Sequence, residues 1–135
     1  MSQTYLMIKP ELVADQVIGE IVAMLTANRF RVLALEMKRL DVEQVRRFYA
    51  EHEGKPFYEA LVAYITSGPV VAVRLEKDNA VADLRALVGA TDPGQAAPGT
   101  IRYLYGRSLQ NNGVHASDSD ASAARELGII FGDGA

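Results

Sequence analysis

The chain has 135 residues, which is the size of one domain, and we expect residues 1–135 to fold as a single domain. Its 49% hydrophobic and 23% charged residues are typical of a folded globular protein and exclude a largely disordered one. The net charge of -3 argues against a protein that binds bulk nucleic acid or an anionic membrane, and the absence of cysteine excludes disulfides, thiolate metal sites and a cysteine nucleophile.

The N-terminal sequence MSQTYLMIKPEL has neither the basic segment nor the apolar segment of a signal peptide. No apolar run in the chain approaches the length that a membrane span needs. We therefore expect a cytoplasmic protein that has no membrane partner.

The first half of the chain predicts two strands and two helices. Thr4 to Ile8 is aromatic, apolar or β-branched and stops before Pro10, which cannot continue a strand. A helix that ends near Asn28 is expected next, because apolar residues recur at helical spacing at Val17, Ile18, Ile21, Val22 and Leu25. Phe30 to Met37 alternates loosely and predicts a second strand. Asp41 is a suitable cap for a helix whose apolar face is formed by Val42, Val45, Phe48 and Tyr49.

The middle of the chain predicts a helix, a strand and a second helix. After a polar turn from His52 to Phe57, a short helix is expected to carry Leu61, Val62 and Ile65. Ser67-Gly68-Pro69 ends it, and Val70 to Leu75 is the clearest strand of the protein. Asp78 or Asn79 is expected to cap a following helix that carries Val81, Leu84 and Val88.

Residues Gly89 to Asn112 show no clear periodicity. A loop of this length is uncommon in a small domain and is usually functional when it is ordered. His115 then lies at the end of a short strand, and Ser117 to Asp120 suits the capped first turn of a helix. That helix is expected to continue through Ala121, Ala124, Leu127 and Phe131, and the tail from Gly132 is expected to fray.

The alternation of strands and helices indicates a sheet that is covered by helices. The order fits a ferredoxin-like split βαβ arrangement, which belongs to the α+β class. It also fits a doubly wound parallel sheet, and periodicity alone does not choose between the two.

Several common site motifs are absent. The sequence has no GxxxxGK[ST] phosphate loop, no GxGxxG after a strand, no HExxH and no GxSxG. Two histidines without any cysteine do not make a convincing zinc site. The chemistry must therefore come from dispersed polar residues.

His115 is the first candidate among these residues. A neutral histidine is a good nucleophile near pH 7, but it needs a hydrogen-bond partner on its other nitrogen to fix the tautomer. Glu126 lies two turns into the following helix and is a candidate for that partner. The alternative is a structural histidine at a turn.

Cationic residues suggest a phosphate site. The forked guanidinium groups of Arg85 and Arg102 match phosphate oxygens, and Thr91 lies in the same irregular region. Lys9 ends a strand, where side chains often point into a cleft. For each of these cations an ordinary surface role is the alternative.

Three aromatic or imidazole side chains stay ambiguous on the sequence alone. Tyr49 lies on an apolar face and is more typical of a core residue than of a catalytic one. Phe57 lies in a polar loop, where it is either a platform for a base or a packing residue. His52 has no evident partner beyond Glu51 and Glu53, and we interpret it as a surface residue.

Six blocks of sequence, in this order, resemble the nucleoside diphosphate kinase family from Thr4 to Phe131. They are Met7-Ile8-Lys9-Pro10-Glu11, Tyr49 to His52 with Lys55-Pro56-Phe57, Ile65 to Ala72, Gly89 to Pro93, Ala97 to Arg102, and Asn112 to Ser119. The resemblance implies the ferredoxin-like fold with a four-stranded antiparallel sheet. It also implies transfer of the γ-phosphate of a nucleoside triphosphate to a nucleoside diphosphate, by a ping-pong mechanism through a phosphohistidine.

The resemblance assigns a role to each candidate residue. His115 would be the nucleophile, and Glu126 and Ser117 would orient and polarise it. Lys9 and Tyr49 would meet the phosphates, with Lys9 also reaching the ribose. The remaining nucleotide-binding residues would be Asn112 at the ribose hydroxyl, Arg85, Thr91 and Arg102 at the phosphates, and Phe57 against the base. Stacking without hydrogen bonds to the base edges would tolerate many bases.

The resemblance also implies a cofactor and partners. Mg²⁺ would be carried by the nucleotide phosphates, with Asp118 touching it through water. The partners would be nucleoside di- and triphosphates and further copies of the chain, in a tetramer or a hexamer, as in short bacterial members.

Two positions depart from the family pattern. Ala116 replaces the usual glycine after the nucleophile, and a Cβ there is strained if the backbone φ is positive. The usual Arg-Gly-Asp-Phe is Arg102-Tyr103-Leu104-Tyr105, so one acidic residue is missing from the long loop. The alternative to an active enzyme is a catalytically impaired nucleotide-binding or scaffold protein of the same fold.

Overall fold

The computed structural model describes residues 1–132 and shows four strands and seven α-helices in that part of the chain. In chain order they are β1 (Ser2–Ile8), α1 (Pro10–Ala14), α2 (Ile18–Ala27), β2 (Arg31–Lys38), α3 (Val42–Phe48), α4 (Tyr58–Ile65), β3 (Val70–Lys77), α5 (Ala80–Val88), α6 (Ile101–Tyr105), β4 (Val114–Ala116) and α7 (Asp120–Phe131). Short 3₁₀ turns cover Ala50–His52 and Pro93–Gln95.

The strands form one sheet in the order β2-β3-β1-β4, and every neighbouring pair is antiparallel. This confirms the antiparallel ferredoxin-like arrangement and shows that the doubly wound parallel alternative was wrong. In the centre, Leu6 of β1 faces Val73 of β3, and on the other side Met7 faces His115 of β4. The fourth strand therefore lies beside the first, although more than a hundred residues separate them.

Helices cover both faces of the sheet and give the protein two apolar layers. One layer contains Leu6, Ile8, Val73 and Leu75 of the strands and Ile21, Leu25 and Leu84 of helices α2 and α5. The other contains Tyr5, Met7 and Ala72 of the strands and Val45, Phe48, Val62 and Leu127 of helices α3, α4 and α7. Alternate side chains of β1 pack into the two layers, as the two-residue period of a strand requires. No helix in residues 1–132 is long and apolar enough to cross a bilayer.

Two predicted helix caps are confirmed in detail. The Asp41 carboxylate accepts the Gln44 N–H at 2.7 Å, and Ser119 Oγ accepts the Ser122 N–H at 3.0 Å. The expected cap of α5 was only partly right. Asn79 precedes the helix, but its φ is 58° and its side chain makes no cap bond, and the Ala80 N–H is bonded instead by Ser2 Oγ at 3.0 Å.

The sequence did not predict two short helices, and it placed one exposed residue on the apolar face of α3. Helix α1 begins at Pro10, whose fixed φ ends a strand and equally suits the first helical position. Helix α6 lies in the segment expected to be a loop, where Thr100 Oγ1 accepts the Tyr103 N–H at 3.3 Å. Five residues are too few to show a helical period. Val42 was expected on the apolar face of α3 and is exposed.

The single domain of residues 1–135 stays a prediction. Fraying was expected from Gly132 to the end of the chain, and residues 133–135 of that tail lie outside the described part of the chain.

Candidate active site

His115 lies in the middle of β4, next to Met7 of β1, and its side chain is on the sheet face that α3 and α7 cover. Aromatic rings enclose it. The ring centroid of Phe48 lies 4.9 Å from that of the imidazole, in an edge arrangement, and the centroids of Tyr49 and Tyr5 lie 6.0 Å and 6.1 Å away. These contacts restrict the imidazole to one orientation.

Glu126 supplies the hydrogen-bond partner that the sequence suggested. It lies on α7, which Ser119 starts, and its buried Oε1 is 2.8 Å from Nε2 of His115. Ser117 Oγ donates to the same oxygen at 2.6 Å. Because a carboxylate oxygen only accepts, Nε2 carries the hydrogen and the lone pair of the neutral ring is on Nδ1. Within residues 1–132, the hydrogen bond of the His115 ring is at Nε2, and Nδ1 has no hydrogen-bond partner.

Tyr49 follows the last residue of α3 and is buried. Its hydroxyl has no hydrogen-bond partner in the described chain. Burial, and next the negative charge of Glu126, raise the pKa of Tyr49 well above its usual value. The phenol therefore stays protonated at neutral pH and is available as a donor beside the imidazole.

Lys9 and Asn112 form a buried polar pair at the end of β1. Lys9 Nζ donates to Asn112 Oδ1 at 2.9 Å, and Asn112 Nδ2 donates to the Thr91 carbonyl at 3.1 Å. Burial, and next the charge of Arg102, lower the pKa of Lys9 to about 8. This chain of bonds brings together three of the residues that the sequence assigned to nucleotide binding.

Gly113 gives the segment before β4 its shape. Its φ is 91°, and a Cβ at this position would lie 2.7 Å from Cδ1 of Leu12. Its carbonyl accepts the Lys9 N–H at 2.9 Å. The glycine thus lets Asn112 and Lys9 meet while the chain passes close to α1.

Arg102 is buried on α6 and is held by the backbone. Its two terminal nitrogens donate to the carbonyls of Gly89 at 3.0 Å and Val114 at 2.9 Å, and Nε has no partner within residues 1–132. Burial, and next the charge of Arg85, lower the pKa of Arg102 to about 10. The guanidinium therefore stays charged at neutral pH and is fixed beside β4.

Arg85 and Asp118 lie at the open side of β4. Arg85 is exposed, and its NH1 is 3.4 Å from the carbonyl of Ala116. Asp118 is exposed and accepts a hydrogen bond from Ser122, which is the main cause of its lowered pKa. The charge of Arg85 lowers that pKa further.

Phe57 is exposed, and the ring of His52 lies between it and Tyr49. The His52 ring centroid lies 6.2 Å from that of Tyr49 and 5.3 Å from that of Phe57. The interpretation of His52 as a surface residue without an evident partner beyond Glu51 and Glu53 was therefore incomplete, because its ring also meets Tyr49 and Phe57. It is three residues after Tyr49, a spacing that puts both side chains on one side of a helical turn, and this spacing was the signal in the sequence.

The two departures from the family pattern leave these contacts intact. Ala116 is in β4 and is not among the residues of positive φ, so the strain considered for it is absent. Leu104 is exposed on α6, next to exposed Tyr103. Arg102 keeps its backbone bonds in spite of the missing acidic residue.

Comparison with known proteins shows which family this chain resembles. Residues 2–135 match the family model of nucleoside diphosphate kinase. A nucleoside diphosphate kinase of Pelotomaculum thermopropionicum is 50% identical over 131 residues, which cover 97% of this chain and 88% of the relative.

Solved structures give the same result. The Aquifex aeolicus nucleoside diphosphate kinase superposes with a TM-score of 0.94 at 36% identity, over 96% of this chain and 94% of the other. The Halobacterium salinarum enzyme in complex with CDP gives 0.94 at 42% identity, over 98% and 88%, and the Encephalitozoon cuniculi enzyme gives 0.96 at 31% identity, over 98% and 90%. The chain therefore belongs to the nucleoside diphosphate kinase family of phosphotransferases.

Proposed function

We propose that this chain moves the γ-phosphate of a nucleoside triphosphate to a nucleoside diphosphate in two steps, with His115 as the intermediate carrier. The observation that supports this most strongly is the bond between Glu126 and Nε2, because it presents Nδ1 as the one nitrogen with a free lone pair. The sequence left the reacting nitrogen undetermined, and the geometry favours Nδ1.

In the first step, Nδ1 of His115 attacks the γ-phosphorus of the donor triphosphate. The Nδ1–P bond forms, the bond from phosphorus to the bridging oxygen breaks, and the diphosphate leaves with the electron pair. The imidazole gains positive charge, which the carboxylate of Glu126 offsets through the Nε2–H bond, with Ser117 fixing the carboxylate. The second step reverses this sequence, with a terminal oxygen of the second diphosphate attacking the phosphorus.

The cations and the phenol serve the transferred group. Phosphoryl transfer depends on positioning and on compensation of oxygen charge. We propose that Lys9, Arg85 and Arg102 compensate the phosphate charge, with Thr91 as a further phosphate contact, and that Tyr49 donates its unpartnered hydroxyl to a phosphate oxygen. Support comes from their positions around one polar region beside β4.

The nucleoside is assigned by the same reasoning. We propose that Asn112 and Lys9 bond the ribose hydroxyls and that the base stacks on the exposed ring of Phe57. A stacked base without edge contacts predicts broad base tolerance, because every base offers a π-face.

Nucleoside diphosphate kinases need a divalent cation, and we propose that Mg²⁺ is bound through the nucleotide phosphates. The ion would neutralise phosphate charge and polarise the γ-phosphoryl group. The chain fits it only indirectly, through water on Asp118, because no group of three or more His, Asp or Glu side chains in residues 1–132 is placed to hold a metal.

We also propose that the chain forms a homo-oligomer in the cytoplasm. The edge strand β2 exposes Leu33, Leu35 and Met37, and Met37 is 59% exposed. An apolar edge strand of this kind is a ready surface for association. A tetramer and a hexamer are both expected sizes, and light scattering decides between them, whereas a monomer would contradict the proposal.

Labelling with Mg-ATP tests the phosphohistidine. The chain has two histidines, so His52 provides a matched control for His115. We expect the wild-type protein and His52→Ala to gain acid-labile phosphate at saturating ATP, and His115→Ala to gain none. Saturable nucleotide binding without any labelled wild-type protein would instead support the impaired or scaffold alternative.

A further inference from the structure

The side chain of Arg125 connects the C-terminal end of α3 with Glu126. It lies on α7 next to Glu126, and its NH1 and NH2 donate to the carbonyls of Arg47 and Phe48, each at 3.3 Å. Its NH2 also lies 3.8 Å from Glu126 Oε2, the oxygen that bonds neither His115 nor Ser117.

These two carbonyls need partners from outside their helix. They belong to the last two residues of α3, where a carbonyl has no helical N–H one turn further along from which to accept, although the Tyr49 N–H approaches the Arg47 carbonyl. A guanidinium at a helix C-terminus both bonds these oxygens and offsets the negative end of the helix dipole. Arg125 therefore fixes the end of α3 on α7.

The end of α3 is also the wall of the histidine pocket. Arg125 holds the carbonyl of Phe48, and the ring centroid of Phe48 lies 4.9 Å from that of His115 in an edge arrangement. Tyr49 follows at once and carries the unpartnered phenol. A shift of this helix end would move both rings, while the bond of Glu126 to Nε2 would stay on α7.

We propose that Arg125 is a positioning residue for phosphoryl transfer, which holds Tyr49 and Glu126 in register across the α3–α7 contact. This inference rests on the proposed function, and it adds a residue whose side chain has no contact with the imidazole. It predicts that loss of Arg125 slows transfer to His115 at saturating nucleotide far more than it weakens nucleotide binding, because Lys9, Asn112 and Phe57 lie on other elements.

The test compares Arg125→Gln and Arg125→Lys with Arg46→Gln in rapid-mixing measurements of His115 phosphorylation by Mg-ATP. Arg46 is a matched control, since its side chain is 44% exposed against 42% for Arg125 and it bonds Glu59 away from the site. A misplaced catalytic group can slow a reaction by up to about a hundredfold, and we expect about tenfold for Arg125→Gln, about threefold for Arg125→Lys and less than about twofold for Arg46→Gln. The KM for ATP should stay within about twofold.

A double mutant separates positioning from general loosening of the fold. If Arg125 acts through Tyr49, then Arg125→Gln combined with Tyr49→Phe should be scarcely slower than the slower single variant, because coupled residues are not additive. The inference would be overturned by fully additive effects of the two substitutions, or by an Arg125→Gln rate within about twofold of wild type. If the glutamine variant does not fold, an Arg125→Lys variant that reacts at the wild-type rate would overturn it as well. If the wild-type protein gained no label, the proposed function itself would be overturned. If the wild-type protein were labelled and Arg125→Gln reacted at the same rate, only the inference about Arg125 would be overturned.

Discussion

Replacing Glu126 by glutamine tests the orientation of the nucleophile. The side chain keeps its size, but the carboxylate that accepts from both Nε2 of His115 at 2.8 Å and Ser117 Oγ at 2.6 Å becomes a neutral amide. A hydrogen bond to a charged group contributes about 1.5–3 kcal/mol, against about 0.5–1.5 kcal/mol for a neutral one. The amide can also turn its NH₂ group toward the ring and favour the wrong tautomer.

The expected loss of transition-state stabilisation is therefore about 2–3 kcal/mol, or a rate about 30- to 150-fold lower. The assay is the single-turnover rate of His115 phosphorylation at saturating Mg-ATP. Glu59→Gln is the control, because Glu59 is an exposed carboxylate that bonds Arg46 outside the site. A rate for Glu126→Gln within about threefold of wild type would refute the role given to this carboxylate.

Three further predictions concern the nucleotide site and the backbone around it. The folded-state pKa of Lys9, about 8, lies below its unfolded value, so Lys9 loses its charge above pH 8; kcat/KM for a triphosphate should fall there, and this limb should be absent in Lys9→Gln. Between pH 8 and about 10.4, Lys9 holds its proton in the unfolded chain but has lost it in the folded one. The free energy of unfolding should therefore increase with pH across that window, and denaturant titrations of wild type and Lys9→Gln measure the difference. Gly113→Ala should lower the free energy of unfolding by about 2–3 kcal/mol, because the new Cβ would meet Leu12 and the backbone φ is 91°. In the same denaturation experiment, Gly19→Ala should raise the free energy of unfolding by about 0.5–1 kcal/mol, because Gly19 lies in α2 with open space around it. Phe57→Ala should raise KM about tenfold for purine and pyrimidine nucleotides alike, and a change for one base only would contradict stacking as the mode of base binding.

Much of the fold was predictable from local patterns. The long strands β1, β2 and β3 and the caps Asp41 and Ser119 follow from side-chain type and spacing, which act over a few residues. The direction of the strands is decided by contacts between distant segments, such as Met7 with His115, and periodicity carries no information on it. Only the resemblance to a family selected the antiparallel sheet.

The sequence pointed to the residues that the structure brings together around His115, but it did not predict their geometry. The spacing of Glu126 after His115 suggested a partner, but the choice of Nε2 over Nδ1 depends on how α7 lies on the sheet. The spacing of His52 from Tyr49 was visible in the sequence, but the approach of Phe57 to the same ring depends on how the turn folds. The strain considered at Ala116 is absent because the residue is part of a strand, which the flanking turn signals concealed.

The nitrogen that carries the phosphate tests the central claim most directly. Protein labelled with ¹⁵N in its histidines and phosphorylated by Mg-ATP would be examined by NMR for coupling between phosphorus and each ring nitrogen of His115. The bond between Nε2 and Glu126 predicts phosphorus on Nδ1 alone. Phosphorus on Nε2, or on neither nitrogen, would contradict the mechanism.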